Sequence, residues 1–71
     1  MRIAYDAEVD ILTIVLAHEH VEESEEVIPG VVVDFNASKH PVAFEIFDAS
    51  KFTDLSHVDV AVARLAKRKA K

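Results

Sequence analysis

The sequence predicts an α+β domain in which a four-stranded, mainly antiparallel sheet carries one C-terminal helix on one of its faces. Four short segments rich in β-branched residues occupy the first two thirds of the chain, and apolar residues recur at helical spacing near its end. With 71 residues, 51% of them hydrophobic, the chain is predicted to form a single domain over residues 1–71. It contains no cysteine, so disulfide bonds are excluded.

The first two predicted strands lie close together in the chain. Residues 2–6 alternate between polar and apolar side chains, and residues 11–16 read I-L-T-I-V-L, a run rich in β-branched residues. In the second strand, Leu12, Ile14 and Leu16 face one way. The acidic stretch that follows, residues 18–26, holds five glutamates and no basic residue, and we expect a loop or a weak edge segment there.

The third and fourth predicted strands form a hairpin. Pro29 and Gly30 favour a turn before residues 30–35, and a loop at 36–41 leads into residues 42–47. In this hairpin Val33 would lie opposite Phe44, and Val31 opposite Ile46. The predicted core face of the hairpin consists of Val31, Val33, Phe35, Val42, Phe44 and Ile46.

The C-terminal segment, about residues 54–71, is predicted to hold a helix and a basic tail. Ser56 and Asp59 resemble a capping box, and a helix is expected from about His57 to Arg68. Its apolar stripe consists of Leu55, Val58, Val62 and Leu65. The face opposite the core is also apolar at Ile11, Val15, Val32 and Phe47. Because one helix cannot cover both faces of a sheet, we expect a homodimer.

The charge is divided unevenly along the chain. The formal net charge is −5, but residues 1–63 hold three basic and thirteen acidic residues, a net charge of −10, while the tail Arg64–Lys71 carries +5. An acidic body attracts basic proteins and repels nucleic acid, so only the tail could contact nucleic acid. No apolar run is long enough to span a membrane, and without a signal-peptide pattern we expect a cytoplasmic protein.

Three ordered motifs resemble a known family. Residues 5–14, YDAEVDILTI, are similar to its opening Y-D-x-x-x-D-x-L-Y-I pattern; residues 22–35, EESEEVIPGVVVDF, resemble its S-E-E-V-x-P-G-V-x-x-D centre; and residues 42–50, VAFEIFDAS, resemble its closing G-I-E-I-l-D-A-S pattern. The family is the mostly bacterial domain of unknown function 2283, and the resemblance covers roughly residues 1–50. It implies a compact β-sheet domain with no established activity and no catalytic residues.

The chain departs from the family pattern at two places. Ser38-Lys39-His40-Pro41 stands where the family commonly has a glycine-containing turn, and Thr13 replaces an aromatic residue. The resemblance therefore does not extend to the hairpin loop, and the predicted helix lies outside the shared motifs.

Two sets of polar residues are candidate ligand sites. His18 and His20 lie two residues apart and could bind a transition metal with a third ligand, for which Glu22, His40 or His57 is available; the alternative is two exposed loop histidines. The acidic residues Glu22, Glu23, Glu25 and Glu26 could instead form a docking surface for a basic partner, bind a hard cation, or simply discourage edge aggregation.

Asp34 and Glu45 interrupt apolar strands and should project from the face opposite the core. They could divide acid and base roles or bind a partner, although hydrogen bonds or salt bridges to Arg2 or Lys51 explain them more simply. No nucleophile, oxyanion hole or phosphate loop accompanies them, so no catalytic residue and no cofactor is proposed. The leading prediction is a non-enzymatic homodimeric interaction module, in its sharpest form antitoxin-like; the alternative is a metal- or small-ligand-binding module that uses His18 and His20.

Overall fold

A computed structural model describes residues 1–51 and 53–63 of this protein. Five antiparallel strands form one sheet, with the spatial order β1-β2-β5-β4-β3. The strands are β1 Arg2–Asp6, β2 Ile11–Val15, β3 Glu23–Ile28, β4 Val31–Phe35 and β5 Pro41–Phe47. A single 3-10 turn, Ala49–Lys51, follows the last strand. The described chain is therefore all-β, and the predicted α+β fold with four strands and a C-terminal helix is wrong.

The last strand lies at the centre of the sheet. β5 pairs with β4, its neighbour in the chain, and also with β2, from which about 25 residues separate it. Placing β5 there lets the most apolar strands pair with one another, while the more polar strands β1 and β3 form the edges. An antiparallel sheet can expose one face to water, but it needs a second layer over the other face.

The strand registers confirm the predicted hairpin. Val33 pairs with Phe44, and Val31 pairs with Ile46, as the alternation of side chains predicts. In the adjoining ladder Ile14 pairs with Phe44, so β2 continues the same face. We call this surface the apolar face, and its regular part consists of Ile3, Tyr5, Leu12, Ile14, Val31, Val33, Phe44 and Ile46. Phe35 and Val42, which were also predicted for this face, lie at its end, where the β4–β5 register shifts.

The acidic stretch forms an edge strand, so of the two predicted alternatives the edge segment is confirmed and the loop is wrong. β3 pairs with β4 along Glu23–Ile28, with a register shift between Glu26 and Ile28. Every residue of β3 is exposed, so its glutamates keep their hydration while the backbone completes the ladder. Glutamate has a low strand propensity, and here the pairing of the backbone with an apolar strand outweighs it.

The predicted helix from about His57 to Arg68 is absent where the structure describes it. Residues 57–63 have no regular secondary structure, and residues 64–68 lie outside the described part of the chain. Ser56 does not cap a helix: its amide and hydroxyl both donate to Asp54 Oδ1, at 3.1 and 2.6 Å, in a local turn. Val58, Val60 and Val62 are each more than 60% exposed, so this segment lacks the tertiary packing that stabilises short helices.

The hydrophobic core of the described chain is small. The buried apolar residues are Leu12, Val33, Val42, Ala43 and Ala49. Within residues 1–51 and 53–63, no large side chain is completely buried, and the extensive contacts between elements are all between neighbouring strands. The described chain is thus a single layer.

Four described residues adopt left-handed backbone conformations: Asp10, Gly30, Lys39 and Asp48. Gly30 has a φ of 87° between β3 and β4, which confirms the turn predicted from Pro29 and Gly30. In the β4–β5 loop, Asn36 Oδ1 accepts hydrogen bonds from the amides of Ser38 and His40, at 3.0 and 2.9 Å. Lys39 closes this loop with a φ of 66°, in the stretch where the family commonly places a glycine.

Replacing Lys39 with glycine should therefore stabilise the protein. Relief of the left-handed strain is worth about 1–2 kcal/mol, and the greater freedom of glycine in the unfolded chain offsets about 0.4–1 kcal/mol of it. We expect Lys39→Gly to raise the free energy of unfolding by roughly 0.5–1 kcal/mol in urea titrations at fixed protein concentration. Ser38→Gly, at a position without a positive φ, is the control and should lower the free energy of unfolding. Equal effects of the two variants would contradict the assignment of left-handed strain to Lys39.

Candidate interaction surfaces

The apolar face carries side chains from four neighbouring strands of the sheet. At its edge, Ile3 and Tyr5 are 40% and 37% exposed. Phe44 and Ile46 lie on the central strand, with a hydrogen-bonded neighbour on each side, and are still only half-buried. Such side chains stay accessible because no described element covers this face.

The acidic strand β3 borders the apolar face. Glu25 pairs with Val33 and Glu23 pairs with Phe35, so both carboxylates project on the same side as the apolar face. Glu26 projects on the other side, where its Oε2 accepts the Gly30 amide hydrogen at 3.0 Å. Of the four candidate glutamates, Glu23, Glu25 and Glu26 therefore lie on one exposed edge strand, and Glu22 immediately precedes it.

The opposite face of the sheet holds a cluster of two carboxyl groups. Asp34, which is buried, accepts a hydrogen bond of 2.5 Å from the Ser24 hydroxyl on the neighbouring strand. Glu45 is its diagonal neighbour on β5. The hydrogen bond with Asp34, followed by burial and by repulsion from the Asp34 charge, raises the pKa of Glu45.

This arrangement bears out the predicted face but not the suggested partners. Asp34 and Glu45 do lie opposite the apolar face, as their positions in the strands indicate. They contact Ser24 and each other, whereas the sequence suggested salt bridges to Arg2 or Lys51; within the described ranges the salt bridge found is between His20 and Glu22. Their candidate role in partner binding stays a prediction.

Asp10 is a structural residue that the sequence reading missed. Its Oδ1 accepts hydrogen bonds from the Tyr5 hydroxyl at 2.7 Å and the Ser50 amide at 2.9 Å, and its Oδ2 accepts one from the Ser50 hydroxyl at 2.7 Å. The bond from Tyr5, and then those from Ser50, lower the pKa of Asp10. All three residues belong to the family-like motifs, which is the signal that could have identified them.

The histidine candidates are not brought together as a metal centre. His20 Nε2 lies 3.8 Å from Glu22 Oε1, with side chains that are 85% and 57% exposed. In the part of the chain that the structure describes, no three His, Asp or Glu side chains form a group that could hold a metal ion. The role of His18, His20 and Glu22 as ligands, with His40 or His57 as further candidates, stays a prediction.

Two further features bear on the sequence-based hypotheses. An open surface depression at the end of β3 is lined by Glu26, Val27, Ile28 and Pro29, and of the candidate residues it includes only Glu26. The basic tail Arg64–Lys71, the candidate nucleic-acid contact, lies outside the described residues. In the described ranges, no helix has the length and apolarity needed to cross a membrane.

The fold and these surfaces define a small single-sheet β domain with an acidic edge. Residues 2–50 match the family described as a protein of unknown function, DUF2283, and the chain belongs to this family. The matched residues span all five strands and the first two residues of the 3-10 turn. No curated protein and no solved structure matches the chain.

Glu45 and Asp10 should give stability opposite dependences on pH. The folded pKa of Glu45 is raised, so its stabilising contribution is complete below its ordinary pKa of 4.5 and is lost as the pH rises through the folded value. We expect Glu45→Gln to gain stability relative to the wild type between pH 4 and pH 7 in urea titrations.

Asp10→Asn is the matched comparison, since asparagine tolerates the φ of 58° at this position. The folded pKa of Asp10 is lowered, so its contribution is present above its ordinary value and is lost as the pH falls through the folded value. Asp10→Asn should therefore lose stability relative to the wild type at pH 7, and lose less at low pH. A Glu45→Gln effect of the same size at pH 4 and pH 7 would contradict the carboxyl pair.

Proposed function

We propose that this protein is a non-enzymatic homodimeric interaction module whose acidic edge strand binds a basic protein. The observation that carries the proposal is the apolar face, over which no second layer of strands or helices packs in the described part of the chain. Domains are built from at least two packed layers, and a single described layer leaves this requirement unmet.

A second copy of the chain supplies the missing layer. Two sheets pack face to face about 10 Å apart with their inner side chains interdigitated, and an identical twisted apolar face has the right shape for this. Burying a half-exposed side chain such as Phe44 or Ile46 is favourable at about 25 cal/mol per Å² of apolar surface. Dimerisation would also offset the small core, which consists mostly of valine and alanine residues.

The acidic strand β3 supports a basic protein as the partner. Its glutamates are exposed and stand on an edge, where a partner can approach both the side chains and the free backbone groups. The net charge of −10 over residues 1–63 would steer a basic protein toward it. An antitoxin-like role, in which this strand covers a basic toxin, is the specific form of the proposal.

A binding role rather than a catalytic one is supported by the titratable groups. Each described residue with a shifted pKa has a hydrogen-bond partner that also joins parts of the fold: Tyr5 with Asp10, Asp10 with Ser50, Glu45 with Asp34, and Asp54 with Ser56. These interactions connect strands or close turns. The shifted pKa values of these residues are therefore explained by hydrogen bonds that hold the fold together.

The adjacent residues Ile3 and Ala4 allow the dimer surface to be tested with equal charge changes. Ile3 belongs to the apolar face and Ala4 faces the other way on the same edge strand. Ile3→Glu should raise the dimer dissociation constant at least about 100-fold, because both symmetry-related contacts lose a buried side chain and gain an unpaired carboxylate at about 1.4 kcal/mol or more each.

Ala4→Glu, the control, should leave the dissociation constant within about threefold of the wild type, since surface substitutions rarely exceed about 0.5 kcal/mol. Sedimentation equilibrium of the three proteins measures all of these constants. A monomeric wild type would refute the homodimer. A dimer disrupted by Ala4→Glu and not by Ile3→Glu would place the interface on the opposite face.

Binding of the basic partner should depend on the position of the acidic residues and not on net charge alone. In the test variant, four acids are changed to Gln: Glu22, Glu23, Glu25 and Glu26. In the control, four exposed acids elsewhere are changed to Asn or Gln: Asp6, Glu8, Asp54 and Asp59. Both variants carry a formal net charge of −1 in place of −5.

We expect proteins that co-purify with the wild type at low salt to be retained by the control variant and lost from the test variant. The physical reason is that complementary charges act mainly within a Debye length of about 10 Å at 0.1 M salt. Mass spectrometry of the eluted complexes gives the readout. Equal retention by both variants would remove β3 from the binding surface.

A further inference from the structure

We propose that the two-fold axis of the homodimer runs parallel to the strands, between β2 and β5. In this geometry β2 of one protomer lies over β5 of its partner, β1 lies over β4 of the partner, and β3 extends beyond the interface. The inference rests on the proposed homodimer, and it names the surface that the second copy covers and the strand that it leaves free.

The placement of charge on the sheet leads to this geometry. Seen from the apolar face, the regular ladder of β1, β2, β5 and β4 presents the eight residues that define it, none of them charged, and the Tyr5 hydroxyl is already bonded to Asp10. The fifth strand, β3, presents Ile28 on that side and also the two carboxylates of Glu23 and Glu25. Both are exposed and have no cation beside them among the described residues. Burying such a carboxylate without a partner costs several kcal/mol.

Symmetry limits how two identical sheets can avoid that cost. When two sheets pack with their strands aligned, a two-fold axis in the plane between them runs either nearly across the strands or nearly along them. Any axis across the strands places β3 over the partner's β3, and so brings Glu25 into the interface. An axis along the strands reverses the order of the partner's strands relative to those of the first sheet. If this axis runs between β2 and β5, four strands of each sheet overlap and β3 lies outside the contact.

This geometry pairs the apolar residues row by row. The strand register groups residues of neighbouring strands into rows that run across the sheet. Rotation about an axis along the strands does not change a residue's position along the strand. Each row therefore faces the same row of the partner. Near the axis, Ile14 would pack against the partner's Phe44, and Leu12 against the partner's Ile46. Ile3 and Tyr5, the exposed residues of β1, would cover the partner's Val33 and Val31. The larger side chains of β1 thereby pack against the smaller valine side chains of the partner's β4.

The contact between the two sheets is small for a dimer interface. Four strands about 4.8 Å apart and five residues long span roughly 19 by 17 Å, or about 320 Å² in projection. This is within the range of about 300–600 Å² for the largest apolar patch on a typical monomer, and a stable dimer usually buries about 800 Å² per partner. The interface is thus small, and burying Glu25 would remove a large share of its stabilisation.

Because β3 extends beyond the interface, which we call its overhang, the dimer has one β3 strand at each outer edge. The free backbone edge and the glutamates of each β3 would then remain accessible while the apolar face is covered. Each dimer would present two copies of the acidic strand, about 26 Å apart. A basic partner would therefore bind with a stoichiometry of two partners per dimer.

Distances between paired spin labels test this geometry. The chain has no cysteine, so single cysteines can be introduced at Ala4 on β1 and Glu26 on β3. The strand pairings place both positions in one row across the sheet and on the face opposite the apolar face, so their labels point away from the interface by equal amounts. The measurement uses the full chain at about 200 µM, a concentration that populates a dimer of micromolar affinity.

For the proposed axis, the backbone separation is about 18 Å for Ala4→Cys and about 26 Å for Glu26→Cys, from strands about 4.8 Å and sheets about 10 Å apart. The labels lengthen both distances alike, so we expect the Glu26→Cys distance to exceed the Ala4→Cys distance by about 8 Å. Equal distances would overturn the proposal. An axis beneath β5 gives about 22 Å for both positions, and an axis across the strands also gives one distance for both, about 10 Å where the axis crosses their row.

The outcomes separate this inference from the homodimer itself. A dimer in sedimentation with equal label distances would retain the proposed function and refute the axis between β2 and β5. A monomer at 200 µM, without dipolar coupling for either label, would refute both. A dimer with the larger distance at Glu26→Cys would support both, and a dimer with the larger distance at Ala4→Cys would refute the overhang of β3.

Discussion

The pairing of β5 with both β2 and β4 is the interaction on which the rest of the structure depends. It joins the two hairpins β1–β2 and β3–β4 into one sheet and satisfies the backbone of the most apolar strand on both sides. The same arrangement confines the described chain to one layer, which leaves the apolar face without a cover. The stability of the sheet and the exposure of its apolar side chains therefore have one origin.

The acidic residues take three different roles according to their positions. Asp10 accepts hydrogen bonds that fasten Ser50 to the β1–β2 turn, and Asp34 joins β4 to β3 through Ser24. The glutamates of β3 remain hydrated on an edge. An excess of negative charge is tolerated because only Asp34 is buried among the described charged residues, and its oxygens have partners.

The two errors of the sequence-based fold have opposite physical causes. Strand β3 was predicted as a loop or weak edge because its glutamates favour water, but a backbone ladder with β4 forms while the side chains stay exposed. The segment after Asp54 was predicted as a helix from the spacing of Leu55, Val58 and Val62. That spacing stabilises a helix only when the apolar stripe packs against something, and these valines remain exposed in the structure.

The sequence by itself determined the apolar strands, the turn at Gly30, the register of Val33 with Phe44, and the faces of Asp34 and Glu45, because alternation with a period of two fixes which side chains share a face. It also determined family membership through its ordered motifs. Only the tertiary structure decided that β5 lies between β2 and β4, that Asp10 meets Ser50, and that the described C-terminal segment leaves the sheet uncovered. These features depend on contacts between residues far apart in the chain, which local periodicity does not encode.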